Sequence, residues 1–89
     1  MDNQMVARHL TRHARELERE GGNLYRARAY RRAALVMLGL DRPVESMVAE
    51  QGATGLRKLP GIGDHISETI ALLVTTGQFC PVTTARRSA

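Results

Sequence analysis

The segment LPGIG, residues 59–63, combines residue types that can hold an anion with backbone groups alone. Glycine adopts positive φ angles and lets a phosphate come close to the backbone. An apolar helical pattern begins directly after Gly63, and the first N–H groups of a helix are free to bind an anion. Ile62 is expected to point inward and pin the turn, while Pro60 fixes the approach to it. The pattern indicates a phosphate site, with a plain connection between two helices as the alternative.

Covalent chemistry on an aldehyde would need a side-chain amine, and the chain offers only one. Of its 13 Lys and Arg residues, Lys58 is the single lysine, and arginine is a poor amine nucleophile. The helix predicted after the turn begins DHISET, residues 64–69, which contains no lysine. We therefore expect a protein without catalytic activity. The alternative is Schiff-base chemistry by Lys58 or by the N-terminal amine.

A third set of candidate residues lies in NLYRARAYRRAA, residues 23–34, where four arginines stand with no acid between them. Positive charge near the start of a helix opposes the helix dipole. A bound anion would relieve that repulsion, so we interpret these side chains as phosphate contacts, with a solvated face as the alternative. The four are Arg26, Arg28, Arg31 and Arg32.

Two further features, a pair of histidines and the single cysteine, are weaker candidates for a functional site. His9 and His13 are four residues apart on one helical face and could ligate a metal, but the sequence suggests no third ligand, so we expect ordinary histidines. Cys80 lies beside Pro81 with no activating base nearby in the sequence. As the single cysteine, it excludes an internal disulfide and a zinc site built on cysteine pairs.

Composition limits what can position these residues. The chain has 89 residues, of which 43% are hydrophobic and 3% aromatic. One small domain with an aliphatic core follows. No apolar run approaches the roughly 18 residues of a membrane span, and the N-terminus has no signal-peptide core. We expect no membrane partner and a location in the bacterial cytoplasm or nucleoid. The net charge of +4 favours an anionic partner.

Helical periodicity and turn residues predict four to five short helices and no strand, hence an all-α bundle. Asn3 is expected to cap the first helix, whose arginines and glutamates we interpret as a solvated face of mixed sign. The second helix is predicted from about Leu24 to Leu38. Asp41 and Pro43 suit the start of a short helix ending at Gly52. Thr54 is expected to cap another. Apolar positions predicted for the core of the second helix are Leu24, Ala27, Tyr30, Ala34, Met37 and Leu38.

The last predicted helix starts with Asp64 as its cap, buries Ile66, Ile70, Leu73 and Val74, and ends at Thr76-Gly77. The segment NLYRARAYRRAA, then LPGIG, then TTGQF, in this order and spacing, resembles the N-terminal domain of the family X DNA polymerases. The resemblance covers roughly residues 3 to 80. It implies a helix-hairpin-helix domain over residues 1–79. Residues 80–89 lack helical periodicity and include Pro81, so we expect a flexible tail there, with order only at Phe79, which precedes it.

The resemblance also implies roles for individual residues. In that family the domain holds the 5′-phosphate side of a DNA gap. The implied phosphate contacts combine the basic helix, the hairpin and the position after it: Arg26, Arg28, Tyr30, Arg31, Arg57, Lys58, Gly61, Ile62, Gly63 and His65. His65 carries less positive charge at neutral pH than the family's basic residue there. A monovalent cation, Na⁺ or K⁺, would be held by the backbone carbonyls of Arg57, Leu59 and Ile62; no other cofactor is expected.

Three departures from the family bear on activity and on phosphate binding. The position of the family's lyase lysine is Thr69, whose hydroxyl cannot form an iminium. Asp64 puts a negative charge beside the expected phosphate site, and the polymerase domain that follows in relatives is absent from this sequence. We expect a module that binds single-stranded, nicked or gapped DNA without sequence specificity in DNA repair, with a polymerase or another repair protein as a further partner. The alternatives are a residual 5′-deoxyribose phosphate lyase and a protein-interaction scaffold that has lost DNA binding.

Overall fold

Four α-helices follow one another in residues 1–81, which are the residues that the computed structural model describes. The helices are α1 (Asn3–Arg19), α2 (Leu24–Gly39), α3 (Val44–Arg57) and α4 (Asp64–Thr76). No strand occurs in this part of the chain, so the predicted all-α fold is confirmed. The radius of gyration of the Cα atoms is 12.2 Å, as expected for a compact domain of this length.

Helices α1 and α2 form the most extensive contact in the bundle, and the short connection between them is typical of antiparallel neighbours. The α1 stripe of Val6, Leu10 and Ala14 is fully buried. Small residues on α2, Ala27 among them, are buried against this stripe and allow the helices to approach closely. Asn23 caps α2 by accepting a hydrogen bond from the Arg26 N–H at 3.1 Å. The four-residue connection therefore both ends α1 and starts α2.

The expected cap of α1 is wrong by one residue. Asp2 caps this helix, and its side chain accepts a hydrogen bond from the Met5 N–H at 2.8 Å. The Asn3 side chain turns away and accepts from the Val44 N–H at 2.8 Å. It also donates to the Arg42 carbonyl at 3.0 Å. Asn3 therefore satisfies the start of α3, where the N-cap residue has no side chain able to do so.

The two short helices predicted between Pro43 and Pro60 are both present, joined across a kink within α3. Gly52 interrupts α3 with φ 64° and ψ −154°, a conformation that favours glycine. Asp41 does not act as a cap, because the N-cap residue of α3 is Pro43. The Thr54 hydroxyl accepts a hydrogen bond from the Arg57 side chain instead of a backbone N–H. Gly52 therefore ends the first of these helices, as the sequence indicated, and the second helix begins directly after it.

The second half of the core lies between α3 and α4. Ile66, Ile70 and Leu73 are buried as predicted, while Val74 is only partly buried at the edge of the cluster. Gly77 ends α4 in the left-handed conformation with φ 80°. Within residues 1–81, none of the helices combines the length and apolar character needed to cross a bilayer.

The predicted core face of α2 is wrong at its two ends. Leu24 is 57% exposed and Leu38 is 55% exposed, whereas Ala33 is buried. The buried stripe is centred on Tyr30 and Met37, and both leucines lie beyond its edge, near the ends of the helix. Phe79 packs against the core after α4. The rest of the predicted tail, apart from Cys80 and Pro81, falls on residues 82–89, outside the described residues.

Candidate nucleic-acid interface

The LPGIG segment forms a tight hairpin between α3 and α4. The Leu59 N–H donates to the Leu56 carbonyl at 3.0 Å, and the Ile62 N–H donates to the Leu59 carbonyl at 3.2 Å. Ile62 is 6% exposed and belongs to the core, as predicted from its place between two glycines. The hairpin is thus fixed from inside by one apolar side chain, and its outer face is backbone.

The two hairpin glycines have different conformations. Gly61 has φ 85°, which only glycine adopts without strain. Gly63 has φ −94° and ψ −175°, an extended conformation open to any residue. A Cβ built on Gly61 would lie 2.7 Å from Cδ of Arg32, whereas one on Gly63 would meet nothing within 4 Å. Gly61 therefore lets the stem of Arg32 lie on the hairpin, and backbone conformation does not require glycine at position 63.

The first residues of α4 lie next to the hairpin glycines, and the helix has no side-chain cap. Its N-cap is Gly63, and Asp64 is the first helical residue, so the predicted capping role of Asp64 is wrong. The first intrahelical bond runs from the Ser67 N–H to the Gly63 carbonyl at 2.9 Å. The N–H groups of the three residues before Ser67 therefore have no partner within the helix. They give the hairpin a set of donors that can bind an anion.

A concave pocket of about 450 Å³ lies between this hairpin and the first half of α2. It combines the uncapped start of α4, two arginines and two tyrosines. Its lining residues are Asn23, Tyr25, Arg26, Ala29, Tyr30, Arg32, Gly61, Ile62, Gly63, Asp64, His65 and Ile66. The predicted site residues on α2 and in the hairpin thus meet in part: Arg26, Tyr30, Gly61, Ile62, Gly63 and His65 lie together.

Two polar side-chain atoms at the pocket are buried without a hydrogen bond in the described part of the chain: the Tyr30 hydroxyl and Nδ1 of His65. Tyr30 is 1% exposed. Burial raises its pKa, and the nearby Thr69 hydroxyl and the charge of Arg26 offset part of that rise. The contact between Tyr30 and Thr69 lacks the geometry of a full hydrogen bond. A buried polar atom left without such a bond is costly, and a ligand atom would relieve the cost.

Thr69, which stands at the expected nucleophile position, lies directly behind this pocket. It is fully buried, and its hydroxyl donates to the His65 carbonyl at 2.9 Å. Glu68, beside it in sequence, is exposed. A hydroxyl in this place supports the packing of α4 against Tyr30 and offers no amine chemistry.

Several of the predicted basic contacts are held by acids or lie elsewhere. Arg31 points to α1, where its Nε and Nη2 donate to the Glu18 carboxylate at 2.9 and 2.7 Å. These bonds hold the pKa of Glu18 below its ordinary value. The expectation that the arginines of α2 have no acidic partner is therefore wrong for Arg31. Arg28 is exposed but does not line the pocket.

At the hairpin itself, one ion pair joins the end of α3 to the start of α4. Nε of Arg57 lies 3.7 Å from the Asp64 carboxylate, and Nη2 of Arg57 donates to the Thr54 hydroxyl at 3.1 Å. Asp64 therefore has a partner that offsets part of its negative charge. Lys58 is exposed at the C-terminal end of α3 and does not line the pocket.

Comparison with known protein families gives a match over most of the chain. Residues 1–79 match the model of a family described as helix-hairpin-helix domain. The chain belongs to the helix-hairpin-helix domain family. Such domains generally bind DNA without sequence specificity. A search of curated proteins found no match. The family assignment agrees with a pocket made of backbone donors and arginines, which can bind phosphates without reading bases.

Tyr25 was not among the predicted residues of this helix-hairpin-helix pocket, and Arg32 was not placed at the hairpin. Tyr25 is 83% exposed at the pocket rim. Arg32 was grouped with the basic helix, but only the contact with Gly61 shows that it reaches the hairpin. The signal for Tyr25 was present in the sequence, because an aromatic residue directly precedes Arg26. Its exposure could not be predicted from the sequence, because aromatic residues in a helix more often belong to the core.

The two histidines on α1 belong to an aromatic cluster on the opposite edge of Tyr30. The His13 ring meets the Tyr30 ring edge-on at 4.6 Å, and the His9 ring stacks on Phe79 at 5.8 Å between centroids. No group of His, Cys, Asp or Glu in residues 1–81 is arranged to hold a metal ion. In this helix-hairpin-helix domain the histidines therefore pack behind the Tyr30 ring.

Proposed function

We propose that this domain holds DNA by its phosphates, with preference for single-stranded, nicked or gapped DNA that presents a 5′-phosphate, and that it does so in DNA repair in the bacterial cytoplasm. The resemblance of residues 23–34 and 59–63 to the family X polymerases supports the repair context. A polymerase or another repair protein is the partner that this resemblance suggests.

One observation carries the proposal: unsatisfied donors and positive charges converge on a single concave surface. The N–H groups at the start of α4 have no side-chain cap, and the Tyr30 hydroxyl has only its weak contact with Thr69. Arg26 and Arg32 add two positive charges to the same lining. A phosphate oxygen accepts hydrogen bonds from all of these groups, and charge-assisted bonds of this kind are the strong ones.

The exposed ring of Tyr25 supports the preference for unpaired bases. It lies at the rim of the phosphate pocket, where a base next to a bound phosphate would meet it. Bases stack on aromatic side chains with little regard to sequence, at roughly 1 to 3 kcal/mol per base. An intact duplex keeps its bases stacked inside and cannot use this contact, so Tyr25 favours gaps, nicks and single strands.

We propose further that the domain binds DNA without reacting with it. Lys58, the single lysine, is exposed and lies outside the pocket lining. The N-terminal amine forms an ion pair with Glu45 at the start of α3, and neither residue lines the pocket. Both amines available to a lyase are thus poorly placed for a sugar bound beside Tyr30.

A monovalent cation fits the carbonyl groups that end α3 and open the hairpin. Arg57 belongs to the last turn of α3, where helix carbonyls lack intrahelical partners. The Leu59 carbonyl accepts one hydrogen bond from Ile62 and retains a second lone pair. With the Ile62 carbonyl, these neutral oxygens suit Na⁺ or K⁺. The ion would add positive charge beside the bound phosphate.

The test compares matched DNA molecules that differ in one phosphate. Fluorescence anisotropy would measure affinity for a one-nucleotide gap with a 5′-phosphate, the same gap with a 5′-hydroxyl, and the intact duplex. We expect the 5′-phosphate to improve binding and the intact duplex to bind most weakly. Arg26→Gln should remove most of the phosphate preference, while Arg42→Gln, which removes one charge far from the pocket, should keep it.

Equal affinity for all three molecules would refute the proposed end preference. Absence of binding to any of them at low salt would refute DNA binding altogether and favour the protein-interaction scaffold. Borohydride trapping on pre-incised abasic DNA separates binding from lyase activity. We expect no covalent adduct, and an adduct that is lost in Lys58→Ala would assign catalysis to that amine.

A further inference from the structure

Helix α1 carries a second set of arginines that the hairpin pocket does not use. Four arginines recur at intervals of four, three and four residues, and all of them are exposed. At 3.6 residues per turn, these intervals place them on one narrow face. That face is opposite the buried stripe of Val6, Leu10 and Ala14. The set, called the α1 arginine row below, consists of Arg8, Arg12, Arg15 and Arg19.

The α1 arginine row is not neutralised by the glutamates that accompany it in sequence. Glu18 is held by both nitrogens of Arg31, and Glu16 lies 3.6 Å from Nδ1 of His13. None of the four arginines forms an ion pair within residues 1–81. Glu18 nevertheless lies beside Arg12, Arg15 and Arg19, and the charge of Arg15 helps to lower the pKa of this carboxyl. The face is therefore of mixed sign, as the sequence indicated, but it keeps an excess of positive charge.

Like charges three and four residues apart repel each other on a helix surface. The row spans roughly 16 Å at the helical rise of about 1.5 Å per residue. One strand of B-DNA presents about five phosphates over that length. A polyanion lying along α1 would therefore meet each arginine with a phosphate and relieve the repulsion between them.

A shallow groove runs beside the row and gives such a strand a place to lie. Arg8, Arg12 and Arg15 line it on one side, and Leu38 of α2 borders it on the other, around a volume of about 520 Å³. The hairpin pocket, by contrast, is lined by no residue of α1. The two basic surfaces are therefore separate, and one DNA segment in the hairpin pocket leaves the α1 arginine row accessible.

We propose that the α1 arginine row is a second, sequence-independent DNA-binding surface, through which one domain holds two DNA segments at once. The chemistry of the row distinguishes DNA from an acidic protein partner. Protein interfaces depend on aromatic or aliphatic anchors near their centre, whereas the arginine row itself is charged and the exposed Leu38 lies only at the border of the groove. Evenly spaced cations suit a regular chain of phosphates.

A two-DNA capture assay tests this surface. An immobilised duplex is saturated with protein and washed, and a second, fluorescent duplex is added at moderate salt. The parent domain is expected to retain the second duplex. The variant with all four row arginines changed to Gln should lose at least about tenfold of this capture, because about four phosphate contacts disappear. Glutamine keeps helix propensity close to that of arginine, so circular dichroism should show an unchanged fold.

Two further variants separate this surface from the hairpin site. Arg26→Gln with Arg32→Gln should abolish the 5′-phosphate preference yet leave residual DNA binding, whose log-log salt slope is about 3, from four contacts at roughly 0.7 to 0.9 each. Adding the four substitutions in the α1 arginine row should abolish this residual DNA binding. Arg12→Gln and Arg42→Gln change the net charge equally, and only the first should weaken capture.

Retention of the second duplex by the four-arginine variant at the parent level would overturn the proposal. So would a parent domain that captures no second duplex at any salt concentration at which it binds the first. A hairpin variant that loses all DNA binding would also overturn it, because the row would then have no affinity of its own. None of these results depends on the end preference of the hairpin pocket.

Discussion

Replacing Tyr30 with Phe should move stability and DNA affinity in opposite directions. The ring is buried and contacts His13 and Phe79 edge-on, and phenylalanine keeps these contacts. Only the hydroxyl is lost, and that hydroxyl is buried without a full hydrogen bond in the free protein. A buried, unsatisfied polar group costs roughly 1 to 3 kcal/mol. We therefore expect the free energy of unfolding to stay the same or to rise by about 1 kcal/mol.

Binding should suffer because the hydroxyl is expected to donate to a phosphate oxygen. A hydrogen bond to a charged group contributes about 1.5 to 3 kcal/mol, which corresponds to roughly 10- to 100-fold in affinity for 5′-phosphorylated gapped DNA. Urea unfolding and anisotropy on the same preparations measure the two effects. A variant that is clearly destabilised, or one that binds the phosphorylated gap as the parent does, would refute the reasoning about this hydroxyl.

The same substitution should alter the stability of the domain at alkaline pH. Burial raises the pKa of Tyr30, so the folded chain keeps the phenol proton at a pH where the unfolded chain has released it. The unfolded state then binds fewer protons, and stability falls as the pH rises above the ordinary tyrosine pKa of about 10 and through the raised one. Tyr30→Phe removes this contribution, and the variant should lose less stability above that pH.

Four other substitutions test the hairpin and the helix that follows it. Gly61→Ala should lower the free energy of unfolding by roughly 1 to 3 kcal/mol, because φ is 85° there. Gly63→Val should weaken DNA binding by blocking the backbone and should cost less stability, because its backbone is extended and only the N-cap preference for glycine over valine is lost. A Gly63→Val variant that is less stable than Gly61→Ala in urea unfolding would contradict this. Asp64→Asn should strengthen DNA binding and release Arg57, and weaker binding in anisotropy would show that the carboxylate helps the site. Thr69→Lys should gain borohydride trapping on abasic DNA, because burial would favour a neutral amine; a folded variant without trapping would show that position 69 does not reach the sugar.

Periodicity and turn residues predicted the helices well because these signals are local. Gly52, Gly61 and Gly77 all have positive φ angles at the breaks that the sequence indicated. Ile62 and the apolar stripe of α4 are buried as expected. Each of these features depends on a few neighbouring residues, so a single sequence contains the information.

The features that could not be predicted depend on residues far apart in the chain. Asn3 was expected to cap its own helix, yet its side chain caps α3, 41 residues away. Arg31 was assigned to the DNA surface because no acid lies near it in sequence, but Glu18 comes from the neighbouring helix. The same contact pairs Glu18 with Arg31 rather than with an arginine of α1. Side-chain partners across helices decide which cations are free, and helical spacing alone does not reveal them.

The measurement that tests the central claim most directly is the shift of backbone amide resonances when a short 5′-phosphorylated oligonucleotide is added to ¹⁵N-labelled protein. The phosphate is expected to bind at the uncapped start of α4, so the largest changes should fall on the amides of residues 61–66, with smaller ones at Arg26 and Tyr30. The same oligonucleotide with a 5′-hydroxyl should shift these amides less. Hairpin amides that remain unchanged while the DNA binds would contradict the account, because the phosphate would then bind elsewhere.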